Sequence, residues 1–304
     1  MKPVSTSTLR LECVASIKDP VMQPFHPRYR FGAASAALRL AYLRVAVVAF
    51  VIAQAVLWFS PAQATSPRAK PTVVLVHGAF ADASSWNGVI TRLLADGYPV
   101  IAVANPLRGV RSDAQVVAGV TDSVQGNVVL VGHSYGGNVI TNAATGKANV
   151  KALVYVAAFA PDVGESVSGL AGKFPGSTLG TTLAPAIPLA DGNKDLYIMQ
   201  SQFHAQFAAD LPVAVSDLMG VGQRPITEAA LNEPSGEPAW RSIPSWFIYG
   251  TWDKNIPPAL QPFMARRAGA KDVVQIFGAS HVLMTSHPIA VAKLIEQAAT
   301  ATSD

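Results

Sequence analysis

A single cysteine, Cys13, stands in 304 residues, so neither a disulfide framework nor a cysteine-built metal centre can be assembled from this chain. Charged residues are also scarce, at 14%, whereas half of all residues are hydrophobic. That balance excludes a solvated, disordered chain and provides for a sizeable core. Neither a GxGxxG run nor a Gly-Lys-Ser/Thr phosphate loop is present, which removes the common glycine-rich nucleotide cradles. The net charge of +4 is unevenly spread. Residues 1–64 hold seven basic side chains against Glu12 and Asp19, leaving sixteen basic and seventeen acidic residues in the remainder. The body is therefore close to neutral, and nucleic acid is not an expected partner.

The basic N-terminal stretch has a different logic. Arg39 and Arg44 precede an apolar run at 45–59, followed by Ser60-Pro61-Ala62-Gln63-Ala64. A basic flank, an apolar run and a small-x-small site make a secretory leader, with cleavage expected after Ala64 and the product periplasmic or secreted. The run falls short of the about 20 apolar residues of a membrane span. An uncleaved N-terminal anchor is the alternative, and no stable membrane insertion is expected once the leader is gone. The stretch before the run is long for a leader of about 15 to 30 residues, which points to translation starting at Met22. Residues 1–64 are thus set aside as leader and 65–71 as linker.

The body alternates β-branched runs with amphipathic segments. Strands are expected at 72–76, 98–104, 127–131, 152–158, 245–249 and 273–277. Helices are expected between them, with Ser84 or Ser85 capping the first and residues 288–299 forming the last. No hairpin signals join these strands, so the pattern specifies an α/β fold with a mostly parallel sheet and helices on both faces. From 161 to 244 the rhythm changes. Gly, Pro and Ser are dense, strand runs vanish, and short helices are expected at 195–209, 212–219 and 227–231. The expected organisation is a core of 72–160 and 245–304 with a helical cap inserted at 161–244.

The chemistry is concentrated at Gly132-His133-Ser134-Tyr135-Gly136, which follows an apolar strand and precedes a helical segment. A GxSxG turn in that context lifts a serine hydroxyl to the tip of a strand, and its tight, strained backbone tolerates only small residues two places before and after the serine. A serine is a weak nucleophile until an oriented base takes its proton. In chain order the acid and then the histidine follow the serine. Three histidines lie downstream. His281 sits in a loop directly after a strand and is the expected base; His287 is placed at a helix start, and His204 among apolar residues in the insertion. Asp253, just past a strand and 28 residues before His281, is the expected acid, with Asp162 as runner-up. Backbone amides of Tyr135 and of Ala79, in the loop after the first strand, are the expected oxyanion donors. His77 closes a buried strand and is expected to serve structure. The side chain of His133 is expected to point away from substrate.

Together, 74–80 with Trp86, 129–137, 154–162 and the Asp253 and His281 loops resemble the α/β-hydrolase superfamily, and within it bacterial relatives of the plant methylesterase and hydroxynitrile lyase group. The resemblance spans roughly residues 70 to 300. Lyases of that group carry a threonine after the first-strand histidine and a lysine after the second-site one. Here Gly78 and Val282 occupy those places, which implies ester hydrolysis. The resemblance implies a small-molecule ester substrate and no metal or organic cofactor. A lactonase, amidase or perhydrolase on the same residues, or a ligand-binding relative with little turnover, are the alternatives. Nothing in the sequence specifies an oligomeric state.

Overall fold

The computed structural model describes residues 69–303. The apolar run, the expected cleavage site and the proposed start at Met22 lie outside these residues. Six strands form one sheet: β1 (Thr72–Val76), β2 (Val100–Val103), β3 (Val128–Ser134), β4 (Val150–Ala158), β8 (Ser245–Gly250) and β9 (Asp272–Ile276), in the order β2-β1-β3-β4-β8-β9. Every pairing is parallel. The sequence reason is plain in β1 and β3, where Val73-Val-Leu-Val76 and Val128-Val-Leu-Val131 are buried on both faces, as a sheet covered by helices on each side requires. The edge strands β2 and β9 are only partly buried.

The connections are helical: α1 (Asn87–Ala95), α2 (Val110–Ser123) and α3 (Tyr135–Ala143) early in the chain, then α9 (Leu260–Arg267), α10 (Leu283–Ser286) and α11 (Pro288–Ala301) near its end. Asp82, rather than Ser84 or Ser85, caps the first helical turn, because its carboxylate accepts from the Ser84 amide at 2.8 Å. Helix α3 lies unusually close to the sheet. A Cβ on Gly136 would stand 2.5 Å from the Val76 carbonyl oxygen, and one on Gly137 2.4 Å from that of Phe159. Two glycines therefore bring the helix start against both neighbouring strand ends.

The segment between β4 and β8 corrects the expectation that strands vanish there. It holds five short α-helices, α4 (Val167–Gly172), α5 (Leu179–Thr182), α6 (Gln200–Phe207), α7 (Val213–Gly222) and α8 (Glu228–Asn232), and a 3-10 turn at Ala239–Arg241. It also holds a three-stranded antiparallel sheet of β5 (Ile187–Pro188), β6 (Lys194–Leu196) and β7 (Ile226–Thr227). The helix expected from 195 begins only at Gln200, because Asp195 and Leu196 are drawn into pairing with Thr227 and Ile226. Among the described residues, no helix is long and apolar enough to cross a membrane.

Candidate active site

Strand β1 pairs with β2 on one side and β3 on the other, so the chain reverses its direction of winding beside β3. In an open parallel sheet such a switch point opens a crevice at the carboxyl ends of the strands. Ser134 occupies that place as the last residue of β3, with α3 starting at the next residue. Its backbone has φ 53° and ψ −123°, strained geometry for a side chain other than glycine. The turn survives because its neighbours lack Cβ atoms: one on Gly132 would stand 2.6 Å from the Gly136 carbonyl oxygen. The register also slips here, since His133 faces Val156 but Ser134 faces Ala158.

The loops after β8 and β9 deliver Asp253 and His281 to the same edge. His281 Nε2 lies 2.9 Å from Ser134 Oγ, and its Nδ1 lies 2.8 Å from Asp253 Oδ2. A carboxylate can only accept, so Nδ1 donates to Asp253 and Nε2 is left to accept the serine proton. Asp253 is itself fixed by the amides of Asn255 (2.8 Å) and Ile256 (3.0 Å) on Oδ1 and by Gln261 Nε2 (3.1 Å) on Oδ2. All three residues are buried, yet Ser134 keeps 7% of its surface exposed toward a cavity. This arrangement can pass a proton from serine to imidazole while the carboxylate holds the ring in one orientation.

Asp162 lies elsewhere in the hydrogen-bond network, paired with Arg241 at 2.5 Å. His204 donates to the Leu211 carbonyl within the segment over the site, at 3.0 Å, and His287 stands at the start of α11 beside Ser286. None of the three bonds to Ser134, His281 or Asp253.

Two other histidines brace the site. His77 accepts the Asn105 amide on Nε2 (3.0 Å), so its Nδ1 donates to the Gly78 carbonyl (2.9 Å). Burial lowers its pKa and keeps it neutral, opposed only in part by that backbone bond. Because carbonyl and amide of a trans peptide point opposite ways, fixing the Gly78 oxygen also fixes the direction of the Ala79 N–H. Ala79 and Tyr135 both border the cavity over Ser134. The amide of the next residue, Phe80, is instead taken by the Arg224 carbonyl at 2.9 Å. His133 is buried beside the site, where its Nε2 donates to the His281 carbonyl at 3.1 Å and its ring centroid lies 4.7 Å from that of His281. Burial first, and then the neighbouring His281, hold its pKa well below the usual value, so it contacts the expected base as a neutral ring.

Sequence reasoning missed Gln261, Asn255 and Asp113. Tyr135 Oη donates to Asp113 Oδ2 at 2.9 Å, which anchors the residue after the serine to α2. Burial raises the Asp113 carboxyl, against hydrogen bonds from Arg108, Tyr135, Gly109 and Ser112. No spacing rule singles out these residues, because each acts across a loop or between elements.

The cavity has a volume of about 230 Å³ and is walled by Phe80, Phe159, Leu183, Phe207 and Leu231, among others. A more open groove of about 600 Å³, bordered by Arg111, Lys147 and Glu233, shares no residue with it.

A parallel sheet with this strand order, a serine on the turn after β3 and a histidine and aspartate on the loops after β9 and β8 define an α/β-hydrolase architecture. The chain belongs to the alpha/beta hydrolase family, whose model matches residues 73–294. It is 28% identical over 252 residues to the alpha/beta hydrolase nvfD of Aspergillus novofumigatus, covering 76% of this chain and 97% of that one. It is 25% identical over 237 residues to the alpha-hydroxynitrile lyase of Arabidopsis thaliana, covering 71% and 92%. The crystal structure of polyneuridine aldehyde esterase superposes with a TM-score of 0.65 at 21% identity, over 75% of this chain and 98% of that chain, a likeness of fold.

Proposed function

We propose that this protein is a serine hydrolase that cleaves small carboxylic esters through an acyl-enzyme. The observation that carries the reading is the unbroken series from Ser134 Oγ through His281 to Asp253, at 2.9 and 2.8 Å. In the first half-reaction His281 takes the Ser134 proton as the hydroxyl attacks the ester carbonyl, and the amides of Ala79 and Tyr135 hold the developing oxyanion. His281 then returns the proton to the departing alcohol. In the second half it deprotonates a water that attacks the acyl-enzyme, and the acid leaves.

Position 78 supports hydrolysis over cyanohydrin cleavage, although one relative is named as a hydroxynitrile lyase. A Cβ on Gly78 would stand 2.6 Å from Ser134 Cβ and 2.8 Å from the His133 carbonyl oxygen, so a hydroxyl-bearing side chain has no room beside the serine. Position 282 offers a buried valine and no ammonium.

The test is turnover of p-nitrophenyl acetate and butyrate by the full chain and by Ser134→Ala. The expected result is turnover that the variant loses. Equal rates in the two proteins, or none in either, would remove the reading. Export belongs to the same proposal and rests on the leader at 1–64: the mature protein should begin at Thr65 by N-terminal sequencing, and a mature chain retaining residues 45–59 would refute cleavage.

A further inference from the structure

We propose that the Ser134 site selects esters that carry no anionic group and discriminates against their carboxylate-bearing counterparts. This rests on the hydrolase reading above and adds the class of substrate.

Size sets the first limit. The cavity of about 230 Å³ equals roughly eight times the ~30 Å³ that a water occupies in the liquid, so it encloses about eight non-hydrogen atoms of an ester, and because Ser168 and Gly180 on its wall are exposed to solvent, a larger alcohol projects from it. Charge sets the second. No lysine or arginine borders the cavity, and its wall presents the rings of Phe80, Phe159 and Phe207, which offer a carboxylate neither a charge nor a hydrogen-bond donor. Beside Ser134 and His281, the polar side chains of the wall are few and none is charged; Ser177 is half-buried and its hydroxyl accepts the Leu179 amide at 3.4 Å. Asn255 is buried, with its Oδ1 accepting from Gln206 Nε2 and its Nδ2 donating to the Gln206 carbonyl, both at 3.2 Å. Ser168 is exposed to solvent.

Of the nearby cations, Arg224 is exposed and lies outside the wall, and three others are engaged. Lys173, the C-cap residue of α4, is paired with Glu165 at 2.5 Å, and Lys254, on the loop after β8, donates to the Ala205 carbonyl at 3.0 Å. Arg267 serves Glu165 and the Ala160 carbonyl, at 2.9 and 2.8 Å. A substrate carboxylate that enters must shed its water and finds no compensating charge, whereas a ketone or ether of the same shape loses little. The penalty falls on binding, and through it on kcat/KM.

The experiment compares methyl levulinate with monomethyl succinate on the full chain, using Ser134→Ala as the blank. The two esters have equal numbers of non-hydrogen atoms and differ by a methyl ketone against a carboxylate. Each kcat/KM is divided by that ester's rate of hydroxide hydrolysis, which removes intrinsic reactivity. The expected ratio favours methyl levulinate by on the order of 100-fold. A ratio near one overturns the selection and leaves the hydrolase reading intact. Loss of all Ser134-dependent turnover, including that of p-nitrophenyl acetate, overturns the hydrolase reading and the selection with it. A second variant, Ser168→Lys, places an ammonium at the exposed position of the wall and should narrow the ratio by about tenfold through faster cleavage of monomethyl succinate. An unchanged ratio in that variant, folded by circular dichroism, overturns charge as the cause.

Discussion

Asp210, in the segment between β4 and β8, accepts a hydrogen bond from the hydroxyl of Ser280, the residue immediately before His281. The covering segment thus grips the loop that carries the proposed base. Asp210→Ala leaves Ser280 only the Phe207 carbonyl, 3.3 Å away. A buried hydrogen bond of this kind contributes about 1 kcal/mol. Lost from ring placement, that corresponds to a fall in kcat of about three- to tenfold. Steady-state kinetics on p-nitrophenyl acetate test it, and an unchanged kcat would show that the loop holds His281 without help from the covering segment.

The two aspartates considered from sequence have opposite surroundings. Asp253 is 2% exposed and bonds His281, whereas Asp162 is bridged to Arg241 at the surface. Asp253→Asn should therefore lower kcat by about 10³ to 10⁴, because an amide cannot hold the imidazole in the required tautomer. Asp162→Asn should stay within about threefold, as exposed pairs contribute little. If the order were reversed, the acid of the proposed triad would have to be reassigned.

Glu165 links the covering segment to α9 and should make stability fall in acid. Burial alone would raise its pKa. Hydrogen bonds from Arg267, the Asp162 amide and Lys173 outweigh that, aided by the Arg267 charge, and bring it from 4.5 to about 2. A folded-state pKa below the unfolded one stabilises the protein above the unfolded value, and the contribution fades as pH falls from 4.5 toward 2. Glu165→Gln should then destabilise by about 1 to 2 kcal/mol at pH 7, below the full linkage value because solvent screens the group. Urea melts at pH 7 and pH 3 check this. The two proteins should differ less at pH 3, and a constant difference would mean that packing, rather than charge, accounts for it.

The sheet and the serine turn were legible because their signals are local. Val73-Val-Leu-Val76 and Val128-Val-Leu-Val131 can only be strands buried on both faces, and the glycines around Ser134 are demanded by contacts under 3 Å. His281 and Asp253 could be placed because strand ends of a parallel sheet converge on one edge. The small sheet between β4 and β8 was not legible. Its strands run two or three residues, too short to show alternation, and Ile187-Pro188 is held by pairing with Lys194 and Asp195. His133 escaped for another reason: its partner is the His281 carbonyl, 148 residues away, which no local pattern encodes.

Tyr135 separates backbone from side-chain roles at the proposed oxyanion site. Its hydroxyl, raised in pKa by burial and by Asp113, donates to the buried Asp113 carboxylate, while its amide is the proposed donor to substrate. Tyr135→Phe deletes the first interaction and keeps the second. It leaves Asp113 Oδ2 with only the Arg108 amide, 3.2 Å away, and the loss of a hydrogen bond to this buried carboxylate costs about 1 to 3 kcal/mol. In a domain of this size that lowers Tm by about 2 to 4 °C per kcal/mol. If the amide alone faces the reaction, kcat should remain within about threefold, since losing a true oxyanion donor costs about 10² to 10³. Thermal melts and p-nitrophenyl acetate kinetics on the same preparation distinguish the two effects. A kcat loss of a hundredfold with an unchanged Tm would mean that the hydroxyl, and not the backbone, acts on the substrate.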